Sequence, residues 1–359
     1  VQQRIDAGEA DAATLAARGA VEGPGAWTGG YLPPMRNIDT ELRRHLPSKM
    51  DLRQYLPTMQ LADPRIGGVR MRLFIFYGAG DNVAAWVNFL LSEDLPDWLD
   101  MAVFESPGHG QRKDEQIPDS LADISAEAYN AVEDVLKHHA RGGKYEGAPF
   151  AFAGHSMGTQ VMVEVAMRAK RSLGVEPACL FAMERGAPHL PLYTDEGHRL
   201  LCLDEPAEFF EGFNPMIHKL MSSPARKDPK KDVERMIRMW QKDLRLSQEH
   251  LNELGSHIFR CDIHVFRAVR NFHMDEMSRQ GQKLPAEMLR VHEINCRLTT
   301  SGPESSACWA WQSYDDWGRW TAERCMTYNI DADHVTVKLH RDTARKIAEV
   351  LAAMPIHAS

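Results

Sequence analysis

A serine flanked by glycines stands at residues 154–158, where the sequence reads GHSMG. This G-x-S-x-G pattern places a serine on a sharp turn between a strand and a helix, with its hydroxyl above the sheet. The apolar run PFAFA precedes the pattern and a helical periodicity over 161–173 follows it, so both parts of the required context are present. Small neighbours suit so tight a turn because bulky side chains would clash there. The pattern predicts Ser156 as a nucleophile.

A histidine base is needed next, because a serine hydroxyl attacks well only when its proton is removed, and histidine has a pKa suited to this. In chains with this motif the histidine follows the last strand. Among the 16 histidines, His334 fits, because strand-like sequence at 327–330 precedes it and a helical pattern over 341–354 follows. His155, beside the serine, is expected to pack within the turn. We therefore predict His334 as the base.

Attack of a serine on a carbonyl creates an oxyanion, which needs amide donors held in place beforehand. The residue after the nucleophile supplies one such amide, and the loop after an early strand supplies the other. These positions are Met157 and Ala79, the latter within the Gly-Ala-Gly segment 78–80. The chemistry so far implies no metal and no bound cofactor.

Short apolar runs separated by helical patterns must position these residues. Each run ends in a loop of glycine or polar residues; the runs are 70–77, 101–104, 149–153 and 178–183, and strand-like sequence resumes at 262–269 and 327–330. Strands alternating with helices imply right-handed crossovers and a mostly parallel sheet covered on both faces. Sites in such sheets form at the carboxyl ends of the strands. The pattern indicates an α/β class protein with the α/β-hydrolase fold.

Composition shifts divide the chain into segments. We expect residues 1–66 to form an N-terminal extension or linker, and 67–192 to form the first part of the hydrolase core. Residues 193–256 lose the strand pattern and become helical and charge-rich, which predicts a helical lid insertion over the site. Residues 257–359 complete the core and contain an extra insertion at about 272–303.

Charge and hydropathy restrict the classes of partner and the location expected for this protein. The net charge of -8 argues against nucleic acid, whose phosphates need a basic surface. No stretch approaches the ~18 apolar residues of a membrane span. The six cysteines are dispersed without metal-ligand spacing, which favours reduced thiols and a cytoplasmic location. The chain begins at Val1, so the sequence leaves organellar targeting open.

Several segments together resemble the type II thioesterases that accompany polyketide and nonribosomal peptide synthases. They are 76–80 (FYGAG), 106–112 (SPGHGQR), 150–158 (FAFAGHSMG), 180–188 (LFAMERGAP) and 240–246 (WQKDLRL). In the second segment His109 replaces the arginine of the family's P-G-R-G-x-R pattern. The resemblance implies hydrolysis of acyl groups from the phosphopantetheine thioester of an acyl carrier protein, in polyketide, nonribosomal peptide or fatty acid synthesis.

The sequence departs from the family's pattern at the position of the acid that should orient His334. Alignment of residues 261–266 with the family's C-P-I-x-V-F strand places Asn271 where an aspartate is expected. Counting back from Trp317 and His334 instead favours Glu304, in a G-x-E segment that is similar to the family's G-x-D loop. Asp275 and Glu184 are the alternatives, the latter because some related thioesterases hold their acid after an earlier strand.

Much of this sequence pattern also fits two other functions. A carboxylesterase, lipase or acyltransferase would use the same nucleophile and base, and would differ in its channel and in whether water reaches the acyl-enzyme. A non-catalytic acyl-binding or carrier-binding module is suggested by the missing obvious acid. The intact Ser156 and His334 favour an enzyme over that module.

Overall fold

Six parallel strands form a single sheet in the order β2-β1-β3-β4-β5-β6. The structure, a computed structural model, describes residues 55–56, 58, 70–143, 146–203, 229–253, 258–269 and 314–354. The strands are β1 (Met71–Phe76), β2 (Leu99–Val103), β3 (Phe150–His155), β4 (Cys179–Met183), β5 (Asp262–Ala268) and β6 (Cys325–Ile330). Because all six strands are parallel, their carboxyl ends meet at one edge of the sheet.

Helices cover both faces of this sheet. The α-helices of the described residues are α1 (Val87–Leu90), α2 (Leu121–His139), α3 (Gly158–Leu173), α4 (Asp195–Leu201), α5 (Pro229–Glu249) and α6 (Arg341–Ala353). Four short 3₁₀ helices accompany them within the described ranges, at Val83–Trp86, Gly110–Arg112, Asp315–Trp320 and Val337–Leu339. Ser120 caps α2 by accepting a hydrogen bond from the amide of Asp123.

The two faces of the sheet carry two separate hydrophobic clusters. Alternate side chains of β1 point to opposite faces, so Phe74 packs with residues of α2 and α3 while Leu73 packs with residues of α6. Every residue of β1, β3 and β4 is buried, which explains their continuous apolar sequences. The sheet is therefore a rigid support for the loops at its carboxyl edge.

This architecture confirms the predicted fold class. Each of the six strand-like runs forms a strand, and the six-stranded parallel sheet with helices on both faces is the α/β-hydrolase fold. Helices α4 and α5 lie within the predicted lid segment 193–256, whose boundaries remain a prediction. The predicted extension, apart from a few residues, and the insertion at about 272–303 lie outside the described residues. None of the helices that the structure describes is long and apolar enough to cross a membrane.

Close approach of α3 to the end of β1 gives a first prediction. A Cβ atom added at Gly158 would collide with the carbonyl oxygen of Phe76 and lie 2.5 Å from that of Tyr77. Gly158→Ala should therefore lower the free energy of unfolding by about 1–3 kcal/mol, measured by urea denaturation. Gly318→Ala is the control, because its nearest new contact is 3.9 Å from Cys325 Cβ, and we expect a change within about 0.5 kcal/mol. Equal stability of the two variants would contradict this packing argument.

Candidate active site

Ser156 occupies a strained turn between β3 and α3. Its φ of 51° lies in the left-handed region, which costs a non-glycine residue of order 1–3 kcal/mol and persists only where the surroundings enforce it. The amide of Ser156 donates to the carbonyl oxygen of Met183 at 2.9 Å. The carbonyl oxygen of Ser156 accepts two hydrogen bonds from Thr159, one from its amide at 3.0 Å and one from its hydroxyl at 2.8 Å. These bonds hold the turn at the carboxyl edge of the sheet.

A four-residue turn at 78–81 lies against this serine. The amide of Asp81 donates to the carbonyl of Gly78 at 3.2 Å, and Gly80, the third residue, has a φ of 71°. A positive φ at the third position is characteristic of a type II turn. A Cβ atom placed on Gly78 would lie 2.9 Å from Cβ of Ser156, so the turn and the serine are in close contact. We call residues 78–81 the oxyanion turn, because its second residue, Ala79, is one of the two predicted amide donors to the oxyanion.

Met157 provides the other predicted donor. It is the N-cap residue of α3, directly after Ser156, at a helix end where the first amide groups have no partner inside the helix. The partial positive charge of a helix N-terminus favours negative charge in front of it. The amides of Met157 and Ala79 therefore belong to two elements that both border Ser156.

His334 lies in the loop after β6, as predicted. Its carbonyl oxygen lies 2.7 Å from Nε2 of His155, and the two imidazole rings are 5.2 Å apart between centroids. Because a carbonyl only accepts, His155 donates through Nε2. Burial lowers the pKa of His155 well below its usual value, and the charges of Lys338 and His334 lower it further. His155 is therefore a neutral ring that fastens the His334 loop beside the serine.

The imidazole of His334 faces a carboxylate. Its Nδ1 lies 3.3 Å from Oε2 of Glu184, which directly follows β4 and is 2% exposed. The other oxygen, Oε1, accepts from the amide of Ala268 and from the hydroxyl of Tyr314 at 3.3 Å. Burial and the Glu184 charge both raise the pKa of Tyr314 well above its usual value, so its hydroxyl remains a donor. This carboxylate is thus held in one orientation.

Glu184 and Ser156 share the same strained backbone conformation. The φ of Glu184 is 52°, and these two residues are the only non-glycines with positive φ in the part of the chain that the structure describes. They follow neighbouring strands, β3 and β4. Strain of this kind concentrates at functional sites, where a side chain must point in a particular direction.

Lys338 connects the oxyanion turn with the His334 loop. Its ammonium forms an ion pair with Asp81, and its side chain is only 2% exposed. The same ammonium lies 5.6 Å from the centre of the Trp86 ring. Since Asp81 ends the oxyanion turn and Lys338 follows His334 by four residues, this pair fixes two parts of the site relative to each other.

The structure brings together most of the residues that the sequence predicted. Ser156, His334, Ala79 and Met157 lie at the carboxyl edge of the sheet, and among the alternatives for the acid Glu184 lies there too. Glu304, Asp275 and Asn271 fall outside the described residues. Sequence reasoning missed Lys338 and Asp81, for which no local pattern gave a signal.

One three-residue group of metal-binding type occurs among the described residues. His198 on α4, Cys202 directly after α4 and Glu249 at the end of α5 place their ligand atoms within 4.8 Å of one another. Glu249 also lies 3.5 Å from Nε of Arg245, whose charge disfavours a cation. The group is separate from the serine site, and we assign no metal to it.

The chain belongs to the thioesterase domain family, because the sequence profile of that domain matches residues 71–353. A Brevibacillus parabrevis protein named Linear gramicidin dehydrogenase LgrE is 30% identical over 161 residues, which cover 45% of this chain and 55% of that protein. The human medium-chain S-acyl fatty acid synthase thioesterase is 26% identical over 131 residues, covering 36% and 43%. The chain thus spans about half the length of these relatives.

A solved structure has the same fold. YbtT, a type II thioesterase from the yersiniabactin NRPS/PKS biosynthetic pathway, superimposes with a TM-score of 0.54 at 18% identity. The superposition covers 80% of this chain and 93% of YbtT. At this identity the likeness establishes the shared fold.

Proposed function

We propose that this protein is a serine thioesterase that releases acyl groups from the phosphopantetheine thioester of an acyl carrier protein. The observation that carries the proposal is the arrangement of Ser156 on its strained turn beside a histidine that faces a buried carboxylate. Membership of the thioesterase domain family directs this general serine chemistry to thioesters. YbtT is described as a type II thioesterase of an NRPS/PKS pathway, which supports a carrier-bound substrate here.

The catalytic cycle needs only groups of this chain and water. The hydroxyl of Ser156 attacks the thioester carbonyl while His334 takes its proton, and the amides of Ala79 and Met157 receive the developing oxyanion. The tetrahedral intermediate then collapses, and the imidazolium of His334 returns the proton to the departing pantetheine thiol. Water, deprotonated by His334, attacks the acyl-enzyme, and the imidazolium then passes this proton to Oγ of Ser156 as the carboxylic acid is released.

We propose Glu184 as the acid of this triad. It faces Nδ1 of His334 at 3.3 Å and is fixed by Ala268 and Tyr314, so it can hold the imidazole in one tautomer and stabilise its cation. This assignment takes the place of Glu304, which the sequence favoured. The strained backbone of Glu184 supports it, because strain of 1–3 kcal/mol is retained where a side chain must reach a defined position.

Helices α4 and α5 support the predicted lid. Tyr193, Leu200, Leu201 and Leu244 form a hydrophobic cluster against which Ala79 and Trp240 pack. The cluster therefore joins both helices to the oxyanion turn. We propose that this helical segment covers the site and lines the path of the acyl chain. The free thiols of Cys179, Cys202, Cys261 and Cys325 fit the cytoplasmic location that the sequence predicts.

Comparison of thioester with oxygen-ester hydrolysis tests this function. We expect the wild-type protein to hydrolyse an acyl-pantetheine with a kcat/KM at least tenfold above that for the matched oxygen ester, and to hydrolyse the acyl-carrier substrate faster still. Product acids are measured by mass spectrometry, with protein denatured by heat as the blank. Preference for the oxygen ester would instead assign a carboxylesterase. Transfer to an added alcohol or amine in place of hydrolysis would assign an acyltransferase.

A fluorophosphonate probe separates all of these enzymes from a binding module. The probe forms a covalent adduct only with a serine that a base activates. We expect stoichiometric labelling of Ser156 in the folded protein, located by peptide mass spectrometry. A folded protein that binds acyl carrier protein but resists the probe would be a non-catalytic module.

A further inference from the structure

A second buried charge pair lies close to the triad. Nε2 of His109 is 2.8 Å from Oδ2 of Asp243, and the side chains of both residues are 0% exposed. His109 belongs to the loop after β2, whereas Asp243 lies on α5, 134 residues further along the chain. The catalytic cycle described above uses neither residue. A buried pair is costly to desolvate, so stability alone is a weak explanation for it.

Hydrogen bonding defines the charge on His109. Its Nδ1 lies 2.9 Å from the carbonyl oxygen of Pro107, which can only accept, so Nδ1 carries a proton. Nε2 faces the carboxylate of Asp243. Burial by itself lowers the pKa of His109, but the charge and hydrogen bond of Asp243 outweigh burial and raise it to about 9. Glu105 acts in the same direction, and the ring of Tyr77, which is also titratable, lies 5.8 Å away.

The same carboxylate oxygen reaches the oxyanion turn. Oδ2 of Asp243 accepts a hydrogen bond of 2.7 Å from the amide of Gly80. That amide belongs to the central peptide of the type II turn, and reversal of this peptide would convert the turn into another type. Trp240, one helical turn before Asp243, lies over Gly80 so closely that a Cβ atom there would overlap its ring. Helix α5 therefore holds the turn that carries Ala79.

We propose that His109 and Asp243 are positioning residues for the oxyanion hole. His109 pairs with Asp243, Asp243 binds the Gly80 amide, and the turn then presents the Ala79 amide to the reacting carbonyl. The inference rests on the proposed function only in assigning Ala79 as an oxyanion donor. It also makes catalysis depend on the docking of α5, because the carboxylate that fixes the turn belongs to that helix.

The charge on Asp243 is essential to this arrangement. A carboxylate accepts stronger hydrogen bonds from amides than a neutral group does, and such bonds are shorter, as the distance to Gly80 shows. His109 faces this buried carboxylate, and removal of one partner of a buried charge pair leaves the other charge uncompensated. Removal of either partner should therefore loosen the turn while the triad stays intact.

Asp243→Asn tests the proposal in the full chain. We expect kcat for the acyl-pantetheine thioester to fall about 10- to 100-fold with KM within about twofold, since loss of one oxyanion donor lowers kcat by about 10²–10³. Asp100→Asn is the matched control. It breaks the equally buried Arg72–Asp100 pair (2.6 Å), which joins β1 and β2 near their amino ends. The control should lower Tm and leave the kcat of the folded protein unchanged.

The pH profile of kcat gives a readout that a purely structural pair would not change. The pKa of His109 is raised to about 9 in the folded protein, so the charged pair persists through neutral pH and is lost as pH rises through about 9. We expect the wild-type kcat to decline above pH about 9. His109→Arg introduces the arginine of the family's P-G-R-G-x-R pattern. This variant should keep activity and remove the decline, because arginine stays charged. His109→Gln should be slow at every pH.

Two results would overturn the inference. One is a folded Asp243→Asn protein whose kcat equals that of the wild type. The other is a fall in kcat for Asp100→Asn as large as that for Asp243→Asn, which would reduce the effect to general loss of stability. If the wild-type protein hydrolyses no thioester, the proposed function fails, and the variants are then compared on an oxygen ester or by the rate of fluorophosphonate labelling.

Discussion

Replacement of Ser156 by alanine is expected to lower kcat for acyl-pantetheine hydrolysis about 10⁶-fold, the scale seen when a triad nucleophile is removed. The acyl group then has no atom to which it can transfer, and the remaining amide donors can only polarise the carbonyl. Steady-state release of thiol measures the loss. Intact-protein mass spectrometry after rapid quenching should show an acyl adduct on the wild-type protein and none on the variant.

Ser125→Ala is the matched control for this substitution. Ser125 is a buried serine on α2, and its hydroxyl has no hydrogen-bond partner among the residues that the structure describes. Its removal should leave kcat within about twofold of the wild type. An acyl adduct that persists in Ser156→Ala would show that another side chain is the nucleophile, and the proposed cycle would then be wrong.

Glu184→Gln should produce the second largest loss, a fall in kcat of about 10⁴-fold with little change in KM. Glutamine preserves the size of the side chain. Its amide, however, brings no negative charge to the imidazolium of His334 and can stabilise the wrong tautomer. Steady-state kinetics at pH 7–8 measures the effect, and far-UV circular dichroism verifies that the variant is folded.

Glu304→Gln and Asp275→Asn complete this test, because the sequence alone left both residues as candidates. If Glu184 is the acid, each should change kcat by less than about threefold. A 10⁴-fold loss in Glu304→Gln together with a small effect in Glu184→Gln would assign the acid to Glu304. Glu184 would then be a buried structural carboxylate bound to Ala268 and Tyr314.

Local signals made the fold predictable and led to the proposed nucleophile. The GHSMG turn of Ser156 depends on residues directly around it, and buried parallel strands such as β1 and β3 leave continuous apolar runs that can be read from the chain. His334 followed from its position after the last strand. Each of these predictions uses a relationship between neighbours in sequence.

The sequence leaves the proposed acid, Glu184, as only one of several alternatives. Glu184 is 150 residues from His334, and only the pairing of β4 with β5 and of β5 with β6 brings the two together. Its positive φ leaves no sequence signal, because the position is not a glycine. Asp243 is similar: its segment resembled a family pattern, but its contact with Gly80 depends on how α5 docks. Tertiary packing determines these contacts.

The strained conformations of Ser156 and Glu184 also bear on how this protein would respond to selection in the laboratory. Glycine adopts a positive φ without steric cost, so glycine at either position would relieve strain while removing the proposed nucleophile or the proposed acid. A library screened for heat resistance alone would therefore be enriched in inactive proteins. Here activity and robustness oppose each other at two defined backbone positions, and any programme of stabilisation should hold both residues constant while it varies the rest of the sheet.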